Sequence, residues 1–216
     1  MSGLPTTIEL AFYSILFAIF LGVSSGLLAS LYPGKLLDVI PMSISLLGIC
    51  IPSIILGPVL VLIFGIWYEI FPVYGWGDNP GDKILPTITL GTAYAAIFAR
   101  LTRGGMLEVL GQDFIRTARA KGLSQRQAIW RHALKNALIP VLTIIGMQFS
   151  FLMAGAIIIE NVFFLPGLGR LIFQGITQRD LIVVESVVML LVFAVIIVTF
   201  IVDLTYAAVD PRLRKR

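Results

Sequence analysis

The chain has 216 residues, 58% of them hydrophobic and 13% charged, with a net charge of +4 and a mean hydropathy of +0.97. That balance excludes an ordinary water-soluble globular domain, in which about a quarter of the residues are charged. It suits a chain dissolved in bilayer, so residues 1–216 read as a single transmembrane domain of spans and loops.

Five spans are expected in chain order, at about 8–31, 39–71, 84–107, 137–160 and 182–208. Each has the length, about 20 helical residues, that a hydrocarbon core of roughly 30 Å demands. Barrel strands would alternate apolar and polar residues, whereas Val187–Val202 is apolar nearly throughout, so the expected class is all-α. No Lys or Arg precedes the first span and no convincing cleavage site ends it, so it reads as retained rather than as a signal peptide.

The second span contains Pro41, Pro52 and Pro58 and should be kinked. The lone cysteine, Cys50, lies inside it, cannot form an internal disulfide, and is expected as a buried inert thiol. The connection Pro72–Lys83 follows, with the turn-forming residues Gly75, Gly77, Asp78, Asn79, Pro80 and Gly81. Tyr68, Tyr74 and Trp76 suit an interfacial aromatic belt.

On the third span Thr87, Gly91, Tyr94 and Phe98 recur at helical spacing, which fits a translocation path or a packing seam equally well. On the fourth, Gly146, Ser150 and Ala154 form a small-residue seam, and Gln148 on another face is a weaker path candidate. Asp203, near the inner end of the last span, reaches the interface or pairs with a neighbour.

Orientation follows from the basic residues. All 16 except Lys83, Arg170 and Arg179 fall in the first connection, in the connection between spans three and four with its flanks, or in the tail Arg212, Arg214, Lys215 and Arg216. Cytoplasmic loops carry such an excess, so the C-terminus is expected inside and the N-terminus of this chain outside. The positive charge is thus topological and implies no nucleic-acid partner.

The loop 108–136 is too organised for a simple connector. Two short helices are expected: Asp113 caps the first, Gly122 takes the left-handed turn that ends it, and Ser124 with Gln127 makes a capping box for the second. Ala128, Ile129 and Trp130 would then stand among basic residues on a compact knob. The physical pattern alone also fits an amphipathic helix lying on anionic lipid.

Arg116-Thr117-Ala118, then Gly122, then His132-Ala133-Leu134-Lys135 resembles the signature loop of ABC importer permeases, whose general form is Glu-Ala-Ala, three residues, Gly, nine residues, Ile-x-Leu-Pro. Arg116, His132 and Lys135 depart from it, in the manner of the dipeptide, oligopeptide and nickel subgroup. Segments 4–10, 45–53, 100–113, 160–171 and 210–216 are similar to that subgroup as well, so the likeness covers nearly the whole chain. It implies a type I importer permease on a bacterial or archaeal cytoplasmic membrane, without the first helix that subgroup members usually carry.

The resemblance further implies that the loop is a coupling helix docking on a separate ABC ATPase subunit. That role is carried to Arg116, Thr117, Ala118, Gly122 and Leu134, with His132 and Lys135 as added docking contacts. The implied partners are a second permease subunit, the ATPase subunits, which bind ATP and Mg, and an extracytoplasmic solute-binding protein. Di- or oligopeptides are the implied cargo. Nickel or another small solute, a truncated non-transporting fragment or membrane adaptor, and a passive channel remain alternatives.

No Gly-x-x-x-x-Gly-Lys-Ser/Thr phosphate loop occurs, so an ATP site is not expected of this chain; nothing in the sequence resembles a catalytic constellation, so neither catalysis nor a cofactor is expected of it. Gly167-Leu168-Gly169 should turn a short re-entrant or surface segment within 160–178. His132, the single histidine, reads as a surface hydrogen-bonding residue rather than a metal ligand.

Overall fold

The computed structural model describes the backbone of residues 3–77 and 79–209 and the side chains within them except those of 203 and 205–209. The expectations on Asp78, Asp203 and the basic tail fall outside those residues. Every regular element described is helical. Among the described residues four helices are long and apolar enough to cross a bilayer: α1 (Gly3–Leu31), α4 (Pro80–Leu110), α8 (Ile139–Val162) and α10 (Leu181–Val209). At 1.5 Å per residue the 29 residues of α1 span about 44 Å.

The stretch expected as the second span is broken. The sequence leads one to expect a kinked span over 39–71, but α2 (Leu36–Cys50) and α3 (Ser53–Leu60), continued by a π-helical stretch over Val61–Trp67, meet at 107°. The break falls at Pro52, whose ψ of 138° is extended. Proline cannot donate the next helical hydrogen bond, and it pushes the preceding residue out of the helical region. Pro41 and Pro58 instead stand inside α2 and α3. The helix also stops at Trp67, short of Phe71, as Glu69 takes a positive φ of 50°. Cys50, expected to be buried, is exposed, because it closes α2 right at the break.

Between α4 and α8 lie α5 (Asp113–Ala120), α6 (Gln125–Ala128), a π-helical turn over Ile129–Ala133 and α7 (Leu134–Ala137). A last short helix, α9 (Leu168–Gln178), precedes α10. The chain divides into two compact units, one of Met1–Phe17, Ile51–Thr92 and Gly146–Arg216, the other of Ala18–Cys50 and Ala93–Ile145.

In the first unit α8 and α10 meet along small residues. A side chain at Gly146 would run into Val202, and the Ser150 and Thr199 hydroxyls are hydrogen-bonded at 2.6 Å. Ala154, the third residue expected in that seam, is exposed. Outward, α10 shows a broad apolar face with Met189, Phe193, Ile196 and Phe200 all exposed, as suits lipid or another apolar helix. In the second unit α1 packs closely on α4: a Cβ on Gly22 would lie 2.5 Å from the Ala95 carbonyl, and one on Gly26 would strike that of Ala99. Backbones approach this closely only where the side chain is absent.

Candidate functional site

The knob between α4 and α8 is built from local signals. α5 starts with Asp113 as its first residue; the cap is Gln112, which makes no side-chain capping bond. Asp113 was expected to be the cap, and it instead contributes its charge in the first turn, where the helix dipole favours it. Its ion pair with Arg116, at 3.5 Å with both side chains exposed, adds little. α5 ends as the sequence predicts. Gly122 has φ +92°, its N–H bonds the Arg119 carbonyl at 3.0 Å, and the Leu123 N–H bonds that of Ala118 at 3.3 Å. Ser124 and Gln127 then form the full capping box, with bonds of 3.3 and 3.1 Å.

The second helix of the knob runs on further than the sequence suggests, through the π turn to Ala137. Ile129, Ala133 and Ala137 repeat every four residues, and this face closes on Met106, Val109 and Ile115 to make an apolar core. Leu27, Leu31, Leu110 and Leu134 pack around it. Ala128 and Ile129 were expected on the outer surface with Trp130; both are buried, and Trp130 alone of the three is exposed. The four-residue repeat draws Ile129 inward, whereas Trp130 lies one residue past it on the open side.

The residues expected to couple differ in exposure. Arg116, Thr117, Gly122 and Lys135 are exposed together with Arg119, Lys121, Arg126 and Arg131. Ala118 and His132 are half-buried. Leu134 packs on the apolar core, so it roots the knob rather than lying on its open face. The Thr117 hydroxyl is turned back onto the Asp113 carbonyl at 2.9 Å.

In the same unit, Asp38 holds the start of α2 to α4. Its carboxylate, almost fully buried, takes two bonds from Arg103, at 2.5 Å to Nε and 2.8 Å to Nη2, and one from the Gly34 N–H at 2.9 Å. This fork is rigid because guanidinium and carboxylate match in shape. From its sequence position alone Arg103 is only one of the topological charges.

The path candidates divide between the two units: Thr87, Gly91 and Gln148 belong to the first and Tyr94 to the second. Thr87 lines a groove of about 420 Å³ with Tyr13, Phe17, Lys83 and Ile84. Gly91 is occupied by α1, since a Cβ there would lie 2.8 Å from the Ser14 carbonyl and 2.7 Å from the Phe17 ring. Tyr94 is half-buried in the other unit, and Phe98 is wholly buried against Gly22. Gln148 is half-buried on α8. Gly91 and Phe98 thus both stand at close approaches of α1 and α4.

One group that sequence reasoning passed over stands at the start of α9. Glu160 is completely buried, yet its carboxyl group accepts from the Thr7 hydroxyl at 2.5 Å, the Gly169 N–H at 2.6 Å and the Arg170 N–H at 3.3 Å. Thr7 in turn accepts from the Leu168 N–H at 3.0 Å. The free N–H groups of the first turn of α9 are thereby satisfied, and the acid sits where the helix dipole favours it. A side chain on Gly167 would occupy the place of the Glu160 carboxyl, and one on Gly169 would strike Ile157. An acid ending an apolar helix, followed by Gly-x-Gly opening the next, was the available signal. Nearby in the chain, Glu9 accepts from Lys83 at 2.5 Å and from the Trp76 indole at 2.8 Å, so Trp76 belongs to a polar cluster as well as to the aromatic set.

A broken span, a rooted knob between two crossing helices and no strand among the described residues define the permease fold of type I ABC importers. An inward-facing methionine ABC transporter, solved in two crystal forms, has that fold with TM-scores of 0.76 and 0.79 at 22% identity, over 97% of this chain and 95% of the matched one. An amino acid ABC transporter crystallised with histidines matches at a TM-score of 0.72 and 17% identity, over 96% of this chain and 92% of that one. The chain belongs to the family of binding-protein-dependent transport system inner membrane components, whose model matches residues 14–215. It is 44% identical to an oligopeptide transport system permease protein of Haemophilus influenzae, over 99% of this chain and 70% of that protein. It is 38% identical to a glutathione transport system permease protein of Escherichia coli K12, over 96% of this chain and 68% of that protein. The chain is a permease subunit of an ABC importer.

Proposed function

We propose that this permease passes di- or oligopeptides inward across the cytoplasmic membrane and takes its drive from separate ATPase subunits through the knob. The observation that carries the proposal is the division of the knob into a buried apolar root and an exposed basic face. A root packed against α4 makes the knob move with the span instead of swinging on a loose loop. An exposed face with Arg116, Thr117, Gly122 and Lys135 leaves polar and basic groups open to another chain, with Ala118 and His132 at its edge.

Closure of an ATPase dimer around ATP and Mg would then pull on the knob and tilt the attached helices. A second permease subunit supplies the other wall of the path, and an extracytoplasmic solute-binding protein delivers cargo. On this reading ATP and Mg are bound by the ATPase subunits, and this chain needs no nucleotide, cofactor or metal of its own for its part. Its orientation follows the basic residues: knob and C-terminus face the cytoplasm, and the first described helix begins outside. Peptide as cargo rests on the two relatives named for oligopeptide and glutathione transport.

The test is uptake of a labelled tripeptide into proteoliposomes holding this chain with its cognate second permease, ATPase subunits and binding protein. ATP-dependent uptake is expected for the wild type, with Gly122→Asp or Ala118→Asp losing it while the chain stays folded. Uptake that runs without ATP would contradict the proposal and point to a passive channel.

A further inference from the structure

Arg100 is an exposed cation two-thirds of the way along α4, in a stretch long and apolar enough to cross the membrane. Among the described residues it forms no ion pair or hydrogen bond. One turn further on, Arg103 is fully engaged by Asp38, so the only carboxylate lining the same groove is already neutralised. Arg100 and Arg103 together line a groove of about 530 Å³ whose other wall, on α2, offers Val39, Met42, Ser43 and Leu46. Val39 and Leu46 are more than half exposed.

A lone guanidinium on a helix apolar enough to cross the membrane carries a desolvation cost wherever it leaves water, unless an anion meets it. Apolar side chains beside it supply a surface for hydrocarbon, and the serine hydroxyl adds a donor. We propose that this groove between α2 and α4 holds an anionic phospholipid, its phosphate on Arg100 and one acyl chain along Val39, Met42 and Leu46. The Asp38–Arg103 pair keeps the groove open by fixing α2 against α4. It also spares the phosphate a competing bare carboxylate. Basic clefts between membrane helices near a membrane surface capture acidic headgroups by this same combination of charge and apolar wall.

The experiment is native mass spectrometry of the full chain, delipidated and then titrated with phosphatidylglycerol or phosphatidylcholine. One phosphatidylglycerol should be retained in preference to phosphatidylcholine. Arg100→Gln should lower that retention about fivefold, as expected for the loss of one basic contact at an anionic headgroup. Arg100→Lys should keep most of it, and Leu46→Gln should weaken both lipids. Lys35→Gln, a change at an exposed lysine outside the groove, should leave retention as it is. Equal retention of the two lipids, or an Arg100→Gln chain that holds phosphatidylglycerol like the wild type, would overturn the proposal. So would displacement of the lipid by millimolar inorganic phosphate, which would make the anion alone the ligand. Loss of the second permease subunit from Arg100→Gln with lipid retention unchanged would assign the groove to a subunit contact instead.

Discussion

The knob and the start of α9 both fix a short helix beside longer ones, and they do so by opposite means. The knob is anchored by hydrocarbon, with Met106, Ile115, Ile129 and Ala133 inside and its charges outside. The start of α9 is anchored by a buried acid, with Glu160 and Thr7 meeting the N–H groups of residues 168 to 170. An apolar root tolerates changes on its open face, because surface substitutions cost little. A buried polar knot does not, because each member leaves its partners unsatisfied when removed. The first arrangement leaves a surface available for exchange with another protein, and the second gives a fixed point.

The largest effect should come from the polar knot. Glu160→Ala strands the Gly169 and Arg170 N–H groups and leaves the Thr7 hydroxyl only the Gly3 carbonyl, at a cost of about 3 kcal/mol. The thermal unfolding midpoint in detergent should fall clearly, and an unchanged midpoint would break the contrast between the two regions. Asp38→Ala should come next at about 2 kcal/mol, since it leaves the partly buried Arg103 guanidinium without its carboxylate. The same melting experiment measures it, and Asp38→Asn should recover part of the loss by keeping a hydrogen-bond acceptor.

Smaller effects belong to the knob. Gly122→Ala places a side chain at φ +92° and should cost about 1 kcal/mol by backbone strain alone, as nothing crowds the position. Ser124→Ala removes one half of the capping box for about 1 kcal/mol or less, visible as faster amide exchange at Gln127 with little change in the global midpoint. Were Ser124→Ala to lower the midpoint as far as Glu160→Ala, the knob would be as indispensable to folding as the knot.

The same contrast explains what could be read from the chain alone. Gly122, Ser124 and Gln127 act within a few residues of one another, so their turn and capping box were legible. Helical spans were legible from length and apolarity, and the Pro52 break appeared as one of three candidate kinks because proline identity alone does not say which site the packing will exploit. The pairings Thr7 to Glu160 and Asp38 to Arg103 join residues 153 and 65 apart, and no local pattern announces such partners. Ile129 went astray for a related reason: its burial depends on Met106 and Val109, which only the folded arrangement of α4 brings to it.

The proposed coupling has the knob's exposed basic face, and not its apolar root, meet the ATPase. Co-purification of the ATPase subunits with the doubly reversed chain Arg116→Glu, Lys135→Glu tests it most directly, beside a melting curve of the same protein. The expected result is loss of most of the captured ATPase with an unfolding midpoint like that of the wild type. Full capture by the reversed chain, or no capture by the wild type, would contradict it.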